Sequence, residues 1–433
     1  MSAAFSFFAT RRFFPLFGTQ FLGALNDNLL KTAIVVLISF HGLTAAGMPP
    51  EQLVNLAAGL FILPYFLFSA TAGKVSEKFD KARVARIIKL VEIGIMLIAG
   101  TGFFMKSAVL LLIALFMMGV HSTFFGPLKY AVLPQYLGRH ELIGGNGLIE
   151  MGTFLAILIG QIIGSLITGG GPWAMASATL AVSLLGYLSS RFMPKAPAPA
   201  PHIRLSPNVA KDSVTLVREA WAIRDVRAAI LGISWFWLMG AVYTTQLPTF
   251  TRLHLGGDAT VYTLMLALFS IGIGLGSVAC AKLSRGELQL GLVLVGSAGM
   301  TVFGLDLALS SLPHYHGKLY TLAEYMLLPG HWRVIVSITM LGFFGGFFTV
   351  PLYTWLQTAS PETFRSQAVA ANNIINGFYM VAAAIASAVA LMLYDSIAVL
   401  FLGVAVLNIV ATLHLLKAGP AIWSARCAWL QRA

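Results

Sequence analysis

Gln20-Phe21-Leu22-Gly23-Ala24-Leu25-Asn26-Asp27-Asn28-Leu29-Leu30-Lys31 sits inside an otherwise apolar run from Phe13 to Phe40. A run of that length spans a bilayer, because a spanning helix needs about 20 mostly apolar residues. A charged side chain near the bilayer centre costs at least about 2.5–3.5 kcal/mol on the most permissive insertion scale. Such a residue faces a cavity, a partner or a substrate rather than lipid. Gln20, Ala24, Asp27 and Lys31 follow helical spacing and share one stripe. Asp27 and Lys31 are also an i,i+4 acid-then-base pair that could neutralise itself, so the stripe reads either as cavity lining or as an internal ion pair.

The rest of the chain agrees with a membrane setting. Of 433 residues, 58% are hydrophobic and 10% charged, where soluble domains carry about 25% charged residues; mean hydropathy is +0.83. The net charge of +12 comes without a basic stripe interleaved with aromatics, so nucleic acid is not expected as a partner. Cys280 and Cys427 offer neither a disulfide framework nor metal spacing. Arg11-Arg12 faintly resembles an export signal, but the apolar run is too long and no cleavage site follows, so the first helix reads as an uncleaved anchor.

Twelve spans follow from apolar length and loop signals: 13–40, 53–72, 88–105, 108–127, 142–168 and 174–192, then 228–250, 259–281, 288–310, 333–357, 368–393 and 396–416. The loop after span two collects Lys74, Lys78, Lys81, Arg83 and Arg86. The segment between spans six and seven holds Arg191, Lys195, Arg204, Lys211, Arg218, Arg224 and Arg227, whereas the opposite loops are poor in base. By the positive-inside rule both termini are expected on the cytoplasmic side. The organisation expected is a six-helix half over 1–192, a cytoplasmic linker over 193–227, a second half over 228–416 and a tail over 417–433. Within the linker, Lys195-Ala-Pro-Ala-Pro-Ala-Pro201 reads as a stiff extended spacer, and Pro207 to Arg224 as an amphipathic helix.

The halves echo each other. Arg139, Asn146 and Glu150 match Arg365, Asn372 and Asn376 in spacing. Phe124-Phe125-Gly126-Pro127-Leu128-Lys129 resembles Phe347-Phe348-Thr349-Val350-Pro351-Leu352-Tyr353, and Ala72-Gly73-Lys74-Val75-Ser76 resembles Cys280-Ala281-Lys282-Leu283-Ser284. These echoes share one six-helix offset. The fold class read from this is an all-α membrane protein of twelve transmembrane helices as 6+6 parallel repeats, the major facilitator arrangement, with a substrate site expected between the halves near the midplane.

Polar residues on the spans supply that site. Lys129 reaches a cavity if span four continues through Tyr130, and is a rim lysine if the helix ends at Pro127; spacing leaves both open. Asn146, Glu150, Thr153, Gly160, Gly164 and Thr168 form a small or polar stripe on span five, where the two glycines alone read as a packing surface. The second half offers Tyr243, Gln246, Gln357, Asn372, Asn373 and Asn376, with no charge. Both signs of charge on the first half and amides on the second suit a zwitterion, with phosphate on Lys129 and ammonium on Asp27 or Glu150. Gly272, Gly274 and Gly276 lack a preceding strand and read as helix packing rather than a nucleotide loop. His314, His316 and His331 point only weakly to a metal; 311–332 reads as a helix at the outer interface. No metal or cofactor is expected.

These same stretches resemble the lysophospholipid transporter family of the major facilitator superfamily, and in particular the transporter half of bifunctional transporter–acyltransferases. The resemblance is carried by Gln20 to Asn28, Phe125 to Pro134, Asn146 to Glu150, Gly272 to Ser277, Gly345 to Tyr353 and Ala370 to Asn376. It implies flipping of lysophospholipid, chiefly lysophosphatidylethanolamine, from the outer to the inner leaflet of a bacterial inner membrane for reacylation. It also implies headgroup-binding positions at Asp27, Asn28, Lys129 and Glu150, to which the polar stripes add Gln20, Lys31, Tyr130, Asn146, Gln246, Asn372 and Asn376. Gly73-Lys74-Val75-Ser76-Glu77-Lys78 departs from the usual superfamily loop in having Glu for Asp, and Asp80-Lys81-Ala82-Arg83 is displaced. No histidine is followed five positions later by aspartate, so the acyltransferase dyad of the fused enzymes is missing here and the 17 residues from Lys417 are too few for a catalytic domain. A separate or fused acyltransferase is the expected partner besides membrane lipid, with Trp423, Arg426, Trp429 and Arg432 as a short interfacial tail helix. Two other readings remain open to the sequence: a proton-coupled facilitator of an amphiphilic drug or metabolite, and a non-transporting scaffold for an acyltransferase.

Overall fold

The computed structural model describes residues 5–45, 47–206, 208–310, 315, 317–394 and 396–427. The first six long helices are α1 (Phe14–Phe40), α2 (Pro50–Lys78), α3 (Lys81–Met105), α4 (Ala108–Tyr136), α5 (Leu142–Leu166) and α6 (Gly171–Arg191). A linker helix α7 (Val209–Ala222) follows. The second set comprises α8 (Arg224–His254), α9 (Ala259–Ser284), α10 (Gly291–Leu309), a four-residue α11 (Leu322–Tyr325), α12 (His331–Ala359), α13 (Arg365–Tyr394) and α14 (Ile397–Ala418), with a short α15 (Ala421–Ser424). Eleven segments are long and apolar enough to cross a membrane. The segment over 142–191 contains both α5 and α6, joined by a 3₁₀ turn at Ile167–Gly170, so twelve long helices result among the described residues. This is the expected all-α architecture of a multi-pass membrane protein.

Helix ends follow local chemistry. The Asp80 side chain caps α3 through the Arg83 N–H, Ser107 caps α4, Asp258 caps α9 and Ser396 caps α14. Each side-chain oxygen satisfies a backbone donor that the helix leaves unpaired. Two extensions matter. Helix α4 runs through Pro127 and Pro134 to Tyr136, nine residues beyond the expected end at 127. Helices α2 and α3 are longer toward each other, so Lys74, Lys78, Lys81, Arg83 and Arg86 lie on helices and only Phe79 and Asp80 form the loop. Apolarity sets the reach of lipid but not the reach of the helix, because charged turns beyond the bilayer continue at no hydrogen-bond cost.

Two compact units are distinguished. The first comprises 1–145, 155–222 and 360–374; the second comprises 146–154, 223–359 and 375–433. Residues 146–154 of α5 are thus grouped with the second set of helices, and residues 365–374 of α13 with the first. Inside the first unit, Leu30, Ile34, Ile95, Met96, Leu111 and Leu115 head an apolar core shared by α1, α3 and α4. Between helices in lipid, packing rather than water exclusion drives association, and small residues let backbones approach. Gly160 and Gly164 show this: a Cβ at either would lie 2.5 Å from the Leu25 carbonyl oxygen or 2.7 Å from that of Leu29 on α1. The packing surface expected of these two glycines is real. In the second unit, Gly272 and Gly276 likewise lie directly on the α12 backbone, which is helix packing and no nucleotide loop.

The linker has no regular structure over 193–198, as its prolines dictate, turns where the Ile203 N–H meets the Ala200 carbonyl at 3.1 Å, and is pinned along its length. Ala196 N–H donates to the Asp80 carboxylate at 2.8 Å, Lys81 N–H to the Ala196 carbonyl at 2.9 Å, and Lys78 Nζ to the Ile203 carbonyl at 3.0 Å. Lys74 pairs with Asp212 on α7 at 2.6 Å. The expected spacer is therefore a strap along the α2–α3 turn. Pro207 and Asp395 lie outside the described residues, as do His314, His316, Trp429 and Arg432. Of the outer segment, 322–325 is helical with a capping box at Thr321 and Glu324.

Candidate functional site

Helix α1 presents three consecutive polar side chains to three different surroundings. Asn28 is buried and its Nδ2 donates to the Ala24 carbonyl at 2.8 Å, folding the amide back on its own helix. Asp27 is half-buried; its Oδ2 accepts from the Ser122 hydroxyl on α4 at 2.6 Å, and its Oδ1 has no hydrogen-bond partner. Asn26 is fully buried, and its Nδ2 donates to Glu92 Oε1 on α3 at 2.7 Å.

Asp27 and Lys31 form no ion pair. Lys31 Nζ instead stands 5.3 Å from the centroid of the Phe61 ring, a cation–π arrangement. The internal-pair reading of the stripe is thus set aside in favour of a carboxylate with an open acceptor. Because α4 continues past Pro127, Lys129 lies within a helix; it is half-buried, with Nζ 4.8 Å from the centroid of the buried Tyr130 ring. Gln20 is buried on the same face of α1. Asn372, on the part of α13 that belongs to this unit, is fully buried with both amide atoms unpartnered.

The remaining expected residues belong to the second unit. Asn146 and Gln357 form a reciprocal amide pair at 2.7 and 3.0 Å, and Asn146 also donates to Thr354 Oγ1 at 3.1 Å. Asn376 Oδ1 accepts from Ser234 Oγ at 2.7 Å. Glu150 is buried and Gln246 half-buried. Tyr243 does not present its ring to an open polar space: it packs on Phe401 at 4.7 Å between centroids and lines an apolar crevice with Leu247, Phe269 and Leu341. Trp237 donates its indole N–H to Tyr353 at 3.0 Å and stacks on Phe154.

Sequence reasoning passed over a buried charged cluster of the first unit. Lys89 and Glu92 on α3 are each 0% exposed and paired at 2.6 Å; His121 Nε2 of α4 lies 3.0 Å from the same Glu92 oxygen. Room for the lysine comes from glycine: a Cβ at Gly23 would sit 2.8 Å, and one at Gly186 3.2 Å, from Lys89 Nζ. The signal was available, because Lys89 and Glu92 interrupt Ile87-Ile88-Lys89-Leu90-Val91-Glu92-Ile93 at i,i+3 and meet the cost argument applied to Asp27. Outside the spans, Arg12 and Glu141 make a two-point pair at 2.6 and 2.5 Å. The Arg12 hydrogen bond holds the Glu141 carboxyl below the usual glutamate range, and Glu141 raises the guanidinium in turn.

Comparison with known proteins agrees with this architecture. Lysophospholipid transporter LplT of Cronobacter sakazakii is 27% identical over 371 residues, covering 82% of each chain. LplT of Citrobacter koseri is 26% identical over 367 residues, again covering 82% of each. Among solved structures, the human organic anion transporter MFSD10 superposes with a TM-score of 0.75 at 14% identity, covering 94% of this chain and 99% of that one. FucP in the outward conformation gives 0.69 at 13% identity, covering 94% and 98%. Residues 16–323 match the model of the Major Facilitator Superfamily. Twelve long helices, an intramembrane carboxylate and a family match over most of the chain lead to one conclusion: this protein belongs to the Major Facilitator Superfamily.

Proposed function

We propose that this transporter moves lysophospholipid, chiefly lysophosphatidylethanolamine, from the outer to the inner leaflet of a bacterial inner membrane, where it is reacylated. The observation that carries the reading is Asp27: a carboxylate on the first span, held by Ser122 at one oxygen and open at the other. An ammonium headgroup supplies the missing donor, and burial makes that charge-assisted bond stronger than it is in water. Lys129, half-buried on α4, is the counterpart for the phosphate. Gln20, Asn28, Lys31, Tyr130 and Asn372 complete the proposed binding set on the first unit, and Asn146, Glu150, Gln246 and Asn376 are the proposed polar positions on the second. The similarity to proteins named lysophospholipid transporter supports the substrate class.

In this reading the basic ends of α2 and α3, the linker and both termini face the cytoplasm, and the product is handed to an acyltransferase. The headgroup crosses by alternating access while the acyl chain stays with lipid. The test is transbilayer movement of labelled lysophosphatidylethanolamine in proteoliposomes, with and without a proton gradient. Protein-dependent movement is expected in both conditions, falling at least tenfold in Asp27→Asn. A wild-type chain that moves no lysolipid in either condition overturns the reading.

A further inference from the structure

Asn26 and Asp27 are neighbours on α1, and His121 and Ser122 are neighbours on α4. Two bridges join these pairs. Asp27 takes the Ser122 hydroxyl directly at 2.6 Å. Asn26 and His121 both meet Glu92 of α3, at 2.7 and 3.0 Å. Glu92 in turn is held by Lys89 at 2.6 Å, with Lys89 Nζ 5.7 Å from the centroid of the Phe125 ring and that ring stacked on His121. Consecutive residues of a helix point about 100° apart. Anchoring Asn26 to Glu92 therefore fixes the rotation of α1, and with it the direction in which Asp27 projects.

We infer that Asn26, Glu92 and His121 are positioning residues that aim Asp27 at its ligand. The inference rests on the headgroup reading above and adds a specificity element to it. None of the three needs to touch substrate: all are buried, and Glu92 is the group that Asn26 and His121 both approach. What they control is the angle at which the open oxygen of Asp27 is presented, and hence the preference for a headgroup that carries an ammonium. An oriented carboxylate discriminates between ammonium and hydroxyl headgroups far better than one free to turn, because the charge-assisted bond is directional.

Asn26→Leu removes the bridge and leaves Asp27, Lys89, Glu92 and His121 in place. Movement of lysophosphatidylethanolamine is compared with that of lysophosphatidylglycerol in the same proteoliposomes. The rate ratio is expected to fall at least threefold from wild type, carried by the ethanolamine lipid. A second arm does not depend on transport: a membrane-permeant carbodiimide is allowed to react with the carboxyls, and adduct at Asp27 is read by mass. Loosening Asp27 from Ser122 is expected to raise that adduct threefold or more. Glu92→Gln, which leaves Lys89 unpaired, is expected to lower the ratio as well, and adding Lys89→Gln to recover at least half of the loss, since glutamine still accepts from Asn26. Equal slowing of both lipids with unchanged labelling overturns the inference and leaves the cluster a purely structural staple. Failure of wild type to move either lipid overturns the headgroup reading instead, while the labelling arm still decides whether Asn26 positions Asp27.

Discussion

Each unit contains a buried polar knot that ties helices together, and the two knots are built differently. In the first, Asn26 of α1, Lys89 and Glu92 of α3 and His121 of α4 meet, with Glu92 at the centre. In the second, Asn408 of α14 accepts the Trp235 indole N–H of α8 at 2.7 Å and donates to Ser297 and Thr301 of α10 at 2.9–3.2 Å. Ser297 and Thr412 add a further hydroxyl contact. Each knot stitches three helices. The second does so without a formal charge, so stitching does not require one. A buried carboxylate and ammonium cost several kcal/mol each before they pair. Their presence beside Asp27, and the uncharged solution in the second unit, separate what the fold needs from what the proposed headgroup site adds.

That comparison breaks most visibly at Glu92. Glu92→Ala leaves Lys89 buried without its partner, and removing one member of such a pair costs about 3–5 kcal/mol. Thermal unfolding in detergent is expected to show the largest loss of any single change here. Asn408→Leu orphans the Trp235 N–H and two hydroxyls but no charge, and a loss of about 1–3 kcal/mol is expected. Equal losses in the two variants would erase the distinction between the knots.

The smallest effect belongs to the interfacial pair outside both knots. Arg12 is 41% and Glu141 24% exposed at the side chain, and pairs of this kind contribute about 0.2–1 kcal/mol. Glu141 is depressed by Arg12, so its contribution is fully present above the ordinary glutamate pKa of about 4.3. It is lost as pH falls through the lower folded value. Arg12→Ala is expected to cost within that range at pH 7, with the gap to wild type closing below pH 4. A gap that persists at pH 3 would show that Arg12 acts through the Tyr136 carbonyl it also reaches, at 3.1 Å.

Much of the proposed site was legible because cost is legible. Asp27 stood out as a charge in an apolar run, and the structure places it on an interior face with an acceptor open. Lys129 could not be settled from its spacing, since a proline only biases a helix end; α4 passes through both of its prolines. Asn146 reads in sequence as a polar site position, and its reciprocal pairing with Gln357 is not visible there. Amides reveal nothing in sequence about whether a partner saturates them, and residues 211 apart give no local sign of meeting.

By itself the sequence determined the membrane setting, the twelve apolar segments, the repeat and the polar positions on the first span, because hydropathy and period depend on neighbours along the chain. Only the tertiary structure decided that Asn26 turns toward Glu92, that Asp27 turns toward Ser122, and that Lys89 has the space to stay buried between glycines. Those choices depend on helix rotation, and rotation is set by which groups on other helices offer a partner to a polar side chain that has no water to turn to.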